Sequence, residues 1–144
     1  VAAATFLAMA GLNRLGMEMV ARSVIEPEDM LPAVAQGAIG IERRTDDPRA
    51  EALLAPIHDT PTGERLAAER AYLATLDGSC QTPIAGLAML ASDGLWLRGE
   101  ILRPDGSDVI RGEVRCAISD ATEAGASLAR QLLGQAPKDF FAWL

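Results

Sequence analysis

Asp108-Val109-Ile110-Arg111-Gly112-Glu113-Val114-Arg115-Cys116-Ala117-Ile118 alternates small or apolar residues with charged ones. Successive side chains of an extended chain point to opposite sides, so Ile110, Gly112, Val114, Cys116 and Ile118 share one face. Val109, Arg111, Glu113 and Arg115 share the other. The pattern predicts a strand of an antiparallel sheet with one buried and one wet face. Two further strand candidates precede it, at about 84–91 and 95–102. The connections Ser92-Asp93-Gly94 and Pro104-Asp105-Gly106-Ser107 have the chemistry of hairpin turns. Arg-Gly-Glu occurs at 98–100 and again at 111–113. It reads as paired positions of one hairpin and not as a repeat.

Helical patterns flank this meander. Thr60-Pro61 starts a helix, with Thr as N-cap and Pro in the first turn. An apolar stripe through Leu66, Ala67, Leu73 and Leu76 carries it to Asp77-Gly78, where glycine would supply the left-handed terminal residue. A last helix begins at Ser119-Asp120, buries Ala121, Ala124, Gly125, Leu128 and Leu132, and ends at Gly134. A short tail holds Phe140, Phe141 and Trp143. Residues 56–144 therefore predict a small α+β domain, a three-stranded antiparallel sheet with helices over one face.

The chain before that domain is less regular. Residues 2–10 suit a helix or a buried strand, and Gly11 breaks the run. Leu12-Asn13-Arg14-Leu15-Gly16 reads as a turn carrying one arginine. Residues 26–32 contain two prolines and exclude a continuous helix. Ala38–Glu42 reads as a short strand. A helix follows from about Asp47 to Ala55, capped by Asp47 with Pro48 in its first position. Residues 56–61 mark the internal boundary.

The 144 residues are 49% apolar, which suffices for a core, but only 4% aromatic, so the core is aliphatic. The net charge of −7 argues against a nucleic-acid or anionic-membrane surface, because phosphate binding is driven by Lys and Arg. An anionic ligand would have to be held by a local arginine cluster. Two cysteines build no disulfide framework, and the composition reads as intracellular and cytoplasmic. The longest apolar run, residues 1–12, is short of the ~20 residues of a membrane span. Val1 opens the chain in mid-pattern, which suggests a fragment of a longer protein.

The cysteines differ in setting. Cys116 lies on the apolar face of the third strand and reads as a small buried hydrophobe. Cys80 lies in Leu76-Asp77-Gly78-Ser79-Cys80-Gln81-Thr82-Pro83-Ile84, a small-residue loop between a helix end and a strand. There it is either incidental or available for chemistry. A reactive thiol needs exposure and a stabilised thiolate, and only the first is suggested locally. A Cys-His hydrolase would need His58, the single histidine, which otherwise reads as a solvated linker residue. One histidine and two distant cysteines predict no metal site. Arg14, Arg22, Arg43 and Arg44 would recognise carboxylates if they converged. Gly37, beside Gln36, would let backbone approach a ligand closely.

Three segments together carry a resemblance. Leu31-Pro32-Ala33-Val34-Ala35-Gln36-Gly37-Ala38-Ile39-Gly40-Ile41-Glu42 resembles the hinge-and-strand signature of the hydroxymethylbilane synthase (porphobilinogen deaminase) family. Ala68-Glu69-Arg70-Ala71-Tyr72-Leu73, followed by Leu76–Ile84, is similar to its cofactor-attachment signature. Ala10-Gly11-Leu12-Asn13-Arg14-Leu15-Gly16 is similar to a third family segment. Order and spacing fit, and the resemblance spans essentially the whole chain.

The resemblance implies a transferase of tetrapyrrole biosynthesis that condenses four porphobilinogen units into hydroxymethylbilane on a covalent dipyrromethane cofactor. It implies Cys80 as the thioether anchor, Arg14 as a clamp for cofactor and substrate carboxylates, and Gln36 and Gly37 at the border of the cleft. It also implies that only the C-terminal part of a three-domain enzyme is present. Residues 1–55 would be the tail of the second domain, plus the hinge and a segment returning to the first. They would be a fragment of α/β, periplasmic-binding-protein-like domains. Residues 56–144 would be the cofactor-carrying third domain. The acid/base aspartate would lie in the absent N-terminal domains, so no catalytic residue is assigned here and the fragment alone would be inactive. Its partners would be porphobilinogen, the growing oligopyrrole and those domains, with self-association covering apolar surface on residues 1–55. The alternative is a non-catalytic tetrapyrrole- or protein-binding domain of the same fold. Ala35 departs from the family's glycine before Gln-Gly, which would stiffen the hinge. Ala3 departs from a common aspartate.

Overall fold

The computed structural model describes residues 2–78 and 82–141. Two compact units are present, residues 1–30 and 31–144. In the first, helix α1 (Met9–Leu15) is capped by Gly16 in the left-handed region, φ 63°. Gly11 therefore lies within a helix instead of breaking the run, and Arg14 sits on that helix's last turn instead of in a turn.

The second unit begins with residues 31–47, where a strand over 38–42 was expected; no ladder forms there. A strand exists only through a partner backbone, and among the described residues none pairs with this one. Ile39 is 94% exposed. Helix α2 (Pro48–Leu54) starts as its sequence dictates, with the Asp47 carboxylate accepting from the Ala50 N–H at 2.9 Å. No strand occurs among the described residues of 1–55.

Helix α3 (Thr60–Thr75) is capped one residue earlier than expected, by Asp59, which accepts from the Thr62 N–H at 2.8 Å. A carboxylate outcompetes the Thr60 hydroxyl as cap because it also complements the positive helix end. Hydrogen bonds from the Thr62 side chain and backbone hold the Asp59 carboxyl below its ordinary value of 3.8. A lowered folded-state pKa stabilises the fold above the ordinary value and loses that contribution as pH falls through the folded value. The stability difference between the protein and Asp59→Asn is therefore expected to be largest near neutrality and to close below about pH 4. Chemical denaturation from pH 3 to 7 measures it.

The three strands are β1 (Ile84–Ala91), β2 (Gly94–Leu102) and β3 (Val109–Cys116), antiparallel in the order β1-β2-β3. The Arg-Gly-Glu triplets oppose each other as expected: Arg98 faces Glu113, Gly99 faces Gly112 and Glu100 faces Arg111. The Arg111–Glu100 pair closes at 2.7 Å. On the same face the Trp96 indole donates to Glu113 at 3.1 Å, with the Arg98 and Arg115 guanidinium groups 4.5 and 4.4 Å from its ring. Ile118 falls beyond the strand in a 3-10 turn, 39% exposed, and does not join the apolar face.

Helix α4 (Ala121–Gln135) buries the expected residues together with Ala129; Gly134 lies inside it and Ala136 caps it. Helices α3 and α4 cover the apolar sheet face side by side. They approach so closely that a side-chain carbon at Gly125 would stand 2.1 Å from the Ala68 carbonyl oxygen. Gly86, Gly99 and Gly112 occupy opposed positions on the three strands and form a trench across the sheet. Tyr72 of α3 lies over the first two, and Leu128 and Leu132 of α4 over the third. Tyr72 is fully buried, and its hydroxyl donates to the Glu100 carbonyl at 3.1 Å. Phe140, also fully buried, brings the tail into this core.

Candidate functional site

The loop after α3 is held at both ends. Leu76 ends the helix, and Asp77, not Gly78, takes the left-handed conformation at φ 53°. The Gly78 N–H reaches the Leu73 carbonyl at 3.1 Å and the Asp77 N–H the Ala74 carbonyl at 3.2 Å, the paired bonds of a Schellman ending. Gly78 packs closely: a side-chain carbon there would lie 2.5 Å from Leu73 Cδ1 and 2.7 Å from Ile84 Cδ1, so those side chains would have to shift. On the far side, the Ile84 N–H bonds the Thr82 carbonyl at 2.9 Å and the Leu102 N–H the Pro83 carbonyl at 3.0 Å. Ser79, Cys80 and Gln81 bridge these two anchored ends and lie outside the described residues.

Gln36 and Gly37 form the exposed tip of a turn in which Ala35 and Gly37 both have positive φ, 63° and 78°. A non-glycine residue in this region costs about 1–2 kcal/mol, so Ala35 is held there by its surroundings. Gly37 also lines an open groove of about 800 Å³ with Ile39, Ile41, Leu54 and Ile57. Arg43, on the same groove, is paired with Glu51 at 3.2 Å. Arg14 is exposed and belongs to the first unit, whereas Gln36 and Gly37 belong to the second.

His58 lines the groove and lies against Gly63 in the first turn of α3. Gly78 follows the other end of that helix, about 24 Å away at 1.5 Å per residue. The imidazole and the residue two positions before Cys80 thus stand a helix length apart. Cys116 is half-buried on β3, and burial followed by the Asp120 charge pushes its thiol up, away from the reactive thiolate. Among the described residues no cluster of potential metal ligands occurs, and no helix is long and apolar enough to cross a membrane.

The sequence reading assigned no role to Glu69. Its carboxylate is 5% exposed and accepts the Ala35 N–H at 2.7 Å and the Ala88 N–H at 2.8 Å. The signal was available: residues 66, 69, 73 and 76 form one helical stripe, and Glu69 is the charge that interrupts it.

Two family models match the chain. One, described as the porphobilinogen deaminase C-terminal domain, matches residues 64–134. The other, described as the dipyromethane cofactor binding domain of porphobilinogen deaminase, matches residues 1–52. A porphobilinogen deaminase of Paracoccus denitrificans (strain Pd 1222) is 63% identical over 143 residues, which cover 99% of this chain and 46% of that protein. The chain thus spans about half the length of that curated relative.

Proposed function

Because this chain belongs to the porphobilinogen deaminase family, we propose that it is the C-terminal part of a cytoplasmic enzyme that condenses four porphobilinogen units into hydroxymethylbilane. The observation that carries the site assignment is the loop after α3. Its two ends are pinned by backbone bonds, and Cys80 is the one cysteine between them.

The residues fit a dipyrromethane cofactor. A thiol on a short, end-anchored loop suits thioether attachment, and an exposed guanidinium at Arg14 suits the carboxylates of a pyrrole. The Gln36–Gly37 turn offers backbone without side-chain obstruction at Gly37. When bound, the dipyrromethane supplies the primer that carries the growing pyrrole chain. Cys80 acts as tether, Arg14 as carboxylate clamp, and Gln36 and Gly37 as the border of the cleft. Residues 56–144 are the cofactor-carrying domain, and residues 1–55 belong with the N-terminal domains.

Most of the strongly exposed large apolar side chains fall before residue 58, Phe6, Met19 and Ile39 among them. The N-terminal domains would cover them in the complete enzyme, and self-association would do so in the separate chain.

Peptide mapping tests the anchor. Trypsin cuts after Arg70 and Arg98, so Cys80 and Cys116 fall in different peptides. In the complete enzyme the dipyrrole mass is expected on the peptide containing Cys80; finding it on any other peptide refutes the assignment. The separate chain incubated with porphobilinogen is expected to form no hydroxymethylbilane, and sustained turnover would show that the missing domains are dispensable.

A further inference from the structure

Strand β1 is one of the two outer strands of the sheet, and its edge N–H groups need acceptors. Gly86 finds the Pro32 carbonyl at 3.0 Å, and Ala88 finds one oxygen of Glu69 at 2.8 Å. The other Glu69 oxygen takes the Ala35 N–H at 2.7 Å. Val34 packs beside Tyr72 over Gly86. Segment 31–35 thus lies along the β1 edge, and a helix side chain replaces the missing strand carbonyl between them.

A carboxylate buried to this degree is costly unless hydrogen-bonded, and both bonds go to backbone donors. One of them fixes the residue that adopts the unfavourable left-handed conformation.

We infer that Glu69 is a latch: it ties the Ala35–Gly37 turn to α3 and β1, so that the turn and the cofactor-carrying domain move as one body. Glu69 is a positioning residue and touches no reacting atom. Its structural role stands on this chain alone; its effect on turnover rests on the family reading above. Glutamine at this position keeps the shape but offers one oxygen for two donors, and turns an N–H₂ toward the other.

Amide hydrogen exchange on this chain tests the latch. In the unmodified protein the Ala35 amide is expected to exchange at least about tenfold more slowly than those of Gln36 and Gly37. Equal rates overturn the latch without any variant. In Glu69→Gln, protection at Ala35 or Ala88 is expected to fall at least about tenfold while Leu97, in the centre of the sheet, keeps its rate. Unchanged protection, or a uniform loss at all amides, overturns it. Ala35→Gly, which relieves the backbone without the latch, is expected to recover part of the loss in the double variant; no recovery overturns the coupling to Ala35. In the complete enzyme, Glu69→Gln is expected to lower kcat about tenfold with the Cys80 adduct retained. Unchanged turnover alongside altered exchange overturns the functional link, whereas an adduct absent from the unmodified enzyme refutes the anchor and not the latch.

Discussion

Cys80→Ser in the complete enzyme is expected to abolish both the covalent dipyrrole and hydroxymethylbilane formation. The serine hydroxyl titrates far above a thiol and is a much weaker nucleophile near neutral pH, so no attachment is expected. The loss should be all-or-none, because a chain with no primer has nothing to extend. Cys116→Ser is the control. That thiol lies half-buried on the helix-covered face of β3, and burial and the Asp120 charge both keep it protonated. Its replacement should leave the adduct and the product in place. Intact-mass measurement and a product assay on both variants decide the matter; an adduct surviving in Cys80→Ser refutes the assignment.

Tyr72→Ala is expected to destabilise the domain by about 3–5 kcal/mol, the range for removing a large buried aromatic side chain. Tyr72 fills the trench that Gly86 and Gly99 open across the sheet, and its removal leaves that space without the ring that lies over both glycines. Its phenol is pushed well above its ordinary range, by burial first and the Glu100 charge second, so it stays protonated and donates to the Glu100 carbonyl. Tyr72→Phe loses only that bond and should cost about 1 kcal/mol. Small domains are stable by about 5–15 kcal/mol, so the alanine variant should be largely unfolded at modest denaturant concentrations. Equilibrium urea unfolding reads both effects. A Tyr72→Ala cost no greater than that of Tyr72→Phe would mean that the ring does not hold the trench.

The strands, the hairpin register and the buried face of α4 were legible because each is written in local periodicity. Ile110, Gly112 and Val114 alternate with Arg111, Glu113 and Arg115, and a one-residue slip would bury charge. The Arg-Gly-Glu triplets announced their own pairing for the same reason. The errors fell where a local signal had a non-local competitor. Ala38–Glu42 has strand composition but no strand beside it among the described residues. Gly78 looked like the left-handed terminator, yet Asp77 takes that conformation and Gly78 follows it, its N–H closing the helix end on the Leu73 carbonyl. Asp59 displaced Thr60 as cap because the carboxylate matches the helix end better.

The same division holds for the loop that carries Cys80. The chain alone set out its chemistry, a thiol among small residues between a helix and a strand, since residue type and spacing are local properties. The tertiary structure decided that both ends of the loop are anchored. It also decided that His58 is a helix length from Gly78, and that a helix carboxylate secures the Ala35 turn. Those facts depend on which backbone groups meet across the fold. Glu69 shows this most directly: in sequence it is one charge on an apolar stripe, and only the packing of α3 against β1 brings its two oxygens to the Ala35 and Ala88 amides.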